Sequence, residues 1–286
     1  MRKENSAFLL FFAVYIQKMS VEKKYNYGIC LSGGGALGYA HVGVLQALRE
    51  RGIEPEVVSG SSMGAIIGTL YSAGYSPAEM LEICKSDKMY EVHRLIIPSF
   101  SRKGFASHKT LRKLLQDTVP HDSFEKLKHK MHICVTNIGN GTYKIVDSGN
   151  LHDYVVASAS IPGIFEVNYI DNGIYVDGGV LNNFPAEAIR EKCRMLIGVD
   201  AAPLIKKNEI KHTTEAIIAT IHTLIHANSV AGHKLCDHLI VSPAREKFHE
   251  FHFDKFETIY QIGYDTAKEY IEKNPAILSE VRSKCI

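Results

Sequence analysis

The chain has 286 residues, enough for one large α/β domain or two small ones. A hydrophobic fraction of 45% and a charged fraction of 22% are those of an ordinary globular protein, and a net charge of +2 gives no electrostatic case for nucleic acid. The six cysteines (Cys30, Cys84, Cys134, Cys193, Cys236 and Cys285) form no C-x-x-C pair, which argues against a zinc ribbon or a thioredoxin-like motif; they read as reduced and structural, as in a cytoplasmic protein.

Residues 7–16 are an apolar run after Arg2 and Lys3. The run is too short to span a bilayer, and no A-x-A-like cleavage site follows it. Residues 1–24 therefore read as an extension, either disordered or the product of a mis-assigned start with Met19 as the true one; a secretory signal or membrane anchor is the lesser alternative. A single domain is expected over 25–275, with 276–286 as a tail.

Within the domain, residues 27–31 predict a first strand running into Ser32-Gly33-Gly34-Gly35. Residues 41–49 predict a helix carrying Val42, Leu45 and Leu48 on one face, ended by Gly52. A second strand at 57–59 leads to a helix at 65–71, and Ser76-Pro77-Ala78-Glu79 is a capping box opening another. Residues 132–137 and 142–147 alternate around Asn140-Gly141, a hairpin signal, and the turn Asp171-Asn172-Gly173 leads into a strand at 174–176. A buried strand at 195–199, a helix at 213–228, a strand at 238–241 and a closing helix at 256–271 complete the series. This alternation predicts a mixed, mostly parallel sheet covered on both faces.

Three segments carry chemistry. Gly60-Ser61-Ser62-Met63-Gly64 follows an apolar strand and precedes a helix, the setting of a nucleophile elbow, with Ser62 at the strained tip and Gly60 and Gly64 relieving the clash on either side. Gly33-Gly34-Gly35-Ala36-Leu37-Gly38 follows the first strand. It can cradle an oxyanion on backbone N–H groups, or serve as the G-x-G-x-x-G loop of a non-enzymatic nucleotide-binding protein. The acid a dinucleotide site wants after its second strand is missing, since Glu54 and Glu56 lie at the wrong end, and this favours the oxyanion reading. Asp177-Gly178-Gly179 closes the strand at 174–176, either as a simple turn or as an acid at the carboxyl end of a strand, where α/β sites form.

In this order the three segments resemble the patatin-like phospholipase family, bacterial type; residues 157–165 and Asn183-Phe184-Pro185 fit the same pattern over about residues 26–200. The resemblance implies a three-layer α/β/α fold and hydrolysis of carboxylic esters in phospholipids or other acyl lipids, without a metal or cofactor. Ser62 matches the nucleophile, Asp177 the general base, and Gly33, Gly34 and Gly35 the oxyanion-hole glycines. Leu37 departs from the pattern, standing where many members carry Arg or Lys. A free carboxylate is a poor base for a serine, so the dyad needs a desolvated Asp177. A triad stays open through His212, His222, His226, His233 and His238, which follow Asp177, and through His41 beside the glycine loop. Residues 89–105 mix apolar and basic side chains and read either as a lid meeting a membrane surface or as a loop packed on the body. A soluble carboxylesterase or thioesterase is the nearest alternative.

Overall fold

The computed structural model describes residues 23–85, 108–206 and 209–279. The extension at 1–22, the stretch at 89–105 and the end of the tail lie outside them.

The sheet is built from β1 (Tyr25–Leu31), β2 (Val57–Ser61), β3 (Lys130–Asn137), β4 (Thr142–Val146), β5 (Asn168–Ile170), β6 (Gly173–Asp177), β7 (Cys193–Asp200) and β8 (His238–Val241). Their order is β5-β6-β3-β2-β1-β7-β8, with β4 also paired to β3. The run from β3 through β2, β1 and β7 to β8 is parallel, whereas β4, β5 and β6 pair antiparallel. The helices are α1 (Tyr39–Glu50), α2 (Met63–Ser72), α3 (Pro77–Lys85), α4 (Lys109–Thr118), α5 (Leu151–Ser158), α6 (Thr213–His233) and α7 (Phe256–Lys273). The expected mixed, mostly parallel sheet is thus present, and α4, α5 and β5 are additions to the elements read from the sequence.

Central strands are buried because both faces are covered: β2 is buried throughout and β1 from Tyr27 to Leu31. On β1, Ile29 and Leu31 enter the larger core cluster, while Cys30 between them enters a second cluster with Val57, Phe184 and Leu196. That two-residue alternation marks the two sides of the sheet. Among the described residues the cysteines are free, and all but Cys236 are buried.

Local signals act as their chemistry dictates. At the start of α3 the Ser76 backbone N–H and hydroxyl both donate to the Glu79 carboxylate, and the Glu79 N–H donates back to Ser76 Oγ. Asp171 and Asn172 both take positive φ (45° and 64°), which turns β5 into β6. Helices α1 and α7 approach so closely that a Cβ on Gly43 would stand 2.0 Å from the Tyr260 carbonyl oxygen. Packing continues past residue 275: Ile277 is buried in the core, and its carbonyl accepts a hydrogen bond from the Tyr27 hydroxyl at 3.0 Å.

Candidate active site

The site is created by sheet register. Strand β3 has two edges. At Cys134 and Val135 one edge is filled by β4, through Ile145 and Lys144. The other edge is shared end to end. β2 runs parallel to β3 until Ser61 faces Cys134; β6 runs antiparallel from the opposite direction until Asp177 faces Val135. The carboxyl ends of β2 and β6 therefore meet head on, and Ser62 and Asp177, 115 residues apart in the chain, become neighbours.

Ser62 is the elbow. Its φ of 54° with ψ of −124° is a strained setting for a residue with a side chain, and α2 begins at the next residue. The flanking glycines are obligatory: a Cβ on Gly60 would stand 2.5 Å from the Gly64 carbonyl oxygen, and one on Gly64 would stand 2.2 Å from that of Leu31. The strain is held by a relay the sequence did not reveal. The Ser62 N–H donates to Ser158 Oγ at 2.9 Å, and the Ser158 hydroxyl donates to the Cys134 carbonyl at 2.7 Å. Ser160 joins from the same segment, its carbonyl accepting the Asp177 N–H at 2.9 Å. Residues 157–165 thus fasten both strand ends.

The Ser62 hydroxyl donates to Asp177 Oδ2 at 2.6 Å, and the other carboxylate oxygen accepts the Gly179 N–H at 2.7 Å. Gly178 leaves room for the Cys134 carbonyl and Gly179 for the Asn183 side chain. Both Ser62 and Asp177 are buried. Burial pushes the Asp177 carboxyl up to about 6, against the two hydrogen bonds, which favour its ionised form.

The glycine loop borders this pair. A Cβ on Gly33 would stand 3.0 Å from that of Ser62. Gly34 and Gly35 take positive φ (150° and 55°), and their N–H groups make no hydrogen bond to the described residues. Gly33 differs from the expectation that all three glycines donate to an oxyanion. Its N–H is already bonded to Asn183, to the side-chain oxygen at 3.1 Å and the carbonyl at 3.3 Å. Gly38 serves packing, since a Cβ there would meet Met63 Cγ at 2.3 Å. Leu37, the position of the expected departure, is fully buried in the core, where a cation would be stranded without water. A strap from the far end of the chain braces the loop: the Ala36 N–H donates to the Glu250 carbonyl at 2.9 Å.

The histidines are occupied elsewhere. His41 is fully buried, and burial brings it down to about 4; its neutral ring donates from Nε2 to the Ser32 carbonyl at 2.9 Å, steadying the loop. His222 bonds Glu250 at 2.9 Å, His233 faces Asp200 at 3.4 Å, and His238 meets the Tyr270 hydroxyl at 3.3 Å. Among the described residues no histidine nitrogen bonds Ser62 or Asp177, so the triad alternative gains nothing. The nucleotide alternative gains nothing either: the Glu56 carboxylate is bound to the Asn26 N–H at 2.7 Å, at the amino-terminal edge of the sheet.

Comparison with known proteins agrees with this architecture. The patatin-like phospholipase family model matches residues 29–190. An uncharacterised NTE family protein of Mycobacterium tuberculosis (strain ATCC 25618 / H37Rv) is 34% identical over 161 residues, 56% of this chain and 44% of that protein. Lysophospholipase nte1 of Emericella nidulans is 25% identical over an alignment covering 86% of this chain and 18% of the fungal protein. The chain thus spans under half the length of either relative. The solved structure of VipD from Legionella pneumophila shares the fold, with a TM-score of 0.52 at 17% identity, over 87% of this chain and 67% of that one. Because the family match takes in more than half of the sequence, from β1 to just before β7, this chain belongs to the patatin-like phospholipase family.

Proposed function

We propose that this chain is a lipid acyl hydrolase that cleaves carboxylic esters of phospholipids or related acyl lipids through a Ser62–Asp177 dyad and a covalent acyl-serine. The observation that carries the reading is the 2.6 Å hydrogen bond from the strained Ser62 hydroxyl to a buried carboxylate. A carboxyl near 6 is a far better proton acceptor than an exposed one, and it still ionises at neutral pH.

In this scheme Ser62 Oγ attacks the acyl carbonyl carbon while its proton passes to Asp177 Oδ2. The carbonyl electron pair moves onto oxygen, where the Gly34 and Gly35 N–H groups and the N-terminus of α2 receive the charge. Collapse expels the alcohol oxygen, which takes the proton from Asp177. Water then attacks the acyl-serine, gives a proton to Asp177, and Ser62 leaves and recovers it. Gly33 belongs to the scaffold of the hole, holding the loop to Asn183. The lysophospholipase name of the fungal relative supports a lipid ester as substrate.

A fluorophosphonate probe with mass mapping tests the reading. Labelling of Ser62, lost in Ser62→Ala and strongly slowed in Asp177→Asn, is expected; folded wild-type protein that resists the probe refutes it.

A further inference from the structure

The first three turns of helix α6 break the usual rule. A surface helix ordinarily turns its apolar stripe inward. In α6 the stripe Ile217, Ile221, Leu224, at i, i+4, i+7, faces solvent, with Leu224 61% and Ile217 55% exposed. The opposite stripe, His222, His226, His233, at i, i+4, i+11, faces the protein: His222 bonds Glu250, His233 faces Asp200, and the His226 ring lies 6.5 Å from that of His233. Farther along the helix the side that carries the apolar stripe turns onto the domain, where Gly232 is buried against Phe184. The Asn228 side chain, next along the apolar stripe, accepts the Asn183 N–H at 2.9 Å and donates to the Gly179 carbonyl at 3.0 Å.

The apolar stripe therefore leads from Ile217 to the turn that carries Asp177. There the exposed Val180 and Leu181 continue it, three and four residues after the aspartate. No Lys or Arg occurs in 213–233 and the only acid is Glu215, so nothing on the face selects for a charged partner. Among the described residues no helix is long and apolar enough to cross a membrane. A helix with one apolar face, held flat against its own domain, can lie in a lipid interface instead.

We propose that the outward face of α6, continued by Val180 and Leu181, docks the protein on the surface of a zwitterionic phospholipid aggregate and seats the Ser62–Asp177 pair against it. This inference rests on the lipid acyl hydrolase reading for its choice of occupant. A second copy of the chain on this face would lie over the Asp177 turn, whereas a lipid surface delivers substrate there.

The chain contains no tryptophan, so a single introduced one reports its own surroundings. Leu224→Trp, with Gln261→Trp on α7 as control, is mixed with phosphatidylcholine vesicles containing brominated lipid. Emission of the Leu224→Trp protein should shift blue and be quenched, and that of the control should not. In flotation with the same vesicles, the triple variant Ile217→Gln/Ile221→Gln/Leu224→Gln should partition about a hundredfold more weakly, at high salt as at low, while its fluorophosphonate labelling of Ser62 keeps the wild-type rate. Equal quenching at both tryptophans, unchanged flotation of the triple variant, or a wild-type dimer that the triple variant breaks overturns the docking face. Labelling is read without vesicles and flotation without turnover, so failure of the hydrolase reading and failure of the docking face show in different measurements.

Discussion

Two aspartates end strands of the same sheet that are consecutive in the chain but have β3, β2 and β1 between them in the strand order, Asp177 on β6 and Asp200 on β7, and their local settings are nearly identical. Each is buried, and each accepts the N–H of the residue two positions on: Gly179 at 2.7 Å for Asp177, Ala202 at 3.0 Å for Asp200. They differ in what the second carboxylate oxygen meets. Asp177 faces a serine hydroxyl at 2.6 Å, whereas Asp200 faces the His233 ring at 3.4 Å. Burial outweighs attraction in the latter pair, pushing Asp200 up and His233 down. An acid at the carboxyl end of a strand is thus only half a site. In the proposed dyad the elbow on β2 is what makes Asp177 a base; Asp200 faces an imidazole in place of a serine hydroxyl.

The comparison breaks most sharply at Ser62. Ser62→Ala should lower kcat for an ester substrate by about 10⁴ or more, with Asp177→Asn costing about 10²–10⁴; a tenfold or smaller loss in steady-state assays would remove Asp177 from the chemistry. Next is Gly64→Ala, whose new Cβ would meet the Leu31 and Ser32 carbonyl oxygens at 2.2 and 2.6 Å. It should cost about 3 kcal/mol or more of stability in denaturant titration and disable the elbow with it. The pH profile separates the two acids further. In the proposed dyad attack needs ionised Asp177, so kcat/KM should rise with pH through about 6. The same group, raised from 3.8, favours the fold while protonated; that contribution is complete below about pH 4 and lost as pH rises through 6. Relative to wild type, Asp177→Asn should therefore be more stable at pH 8 than at pH 4, by up to about 3 kcal/mol. The smallest effect belongs to the other aspartate. Asp200→Asn and His233→Gln should each change turnover less than about threefold while lowering stability by about 1–2 kcal/mol; a hundredfold loss of rate in either would reopen the triad.

Much of this was legible because it is local. Glycine spacing around Ser62 and beside Asp177 reports close approaches that any Cβ would block, and the capping box at Ser76 and the turn at Asp171-Asn172 are complete within a few residues. What stayed hidden depends on distant partners. Ser158 supports the elbow across 96 residues, and Asn183 takes the Gly33 N–H across 150, which is why three equivalent oxyanion donors could be expected where the third is already bonded. Helix α5 gave no periodic contrast because almost all of it is buried. Helix α6 gave a clear period, but periodicity names a stripe without saying which way it faces.

The head-on meeting of β2 and β6 has a consequence for the life of the protein before it is finished. Asp177 is held by a ladder of three rungs to β3, and sliding that ladder by one residue would turn its carboxylate to the other side of the sheet. Both halves must find the same edge of β3, in register, before a serine and an acid can share a proton. The proposed dyad is thus assembled only by correct pairing. On that reading a nascent or misthreaded chain should be inert toward esters, and bond cleavage would itself serve as an assay of whether the molecule has folded.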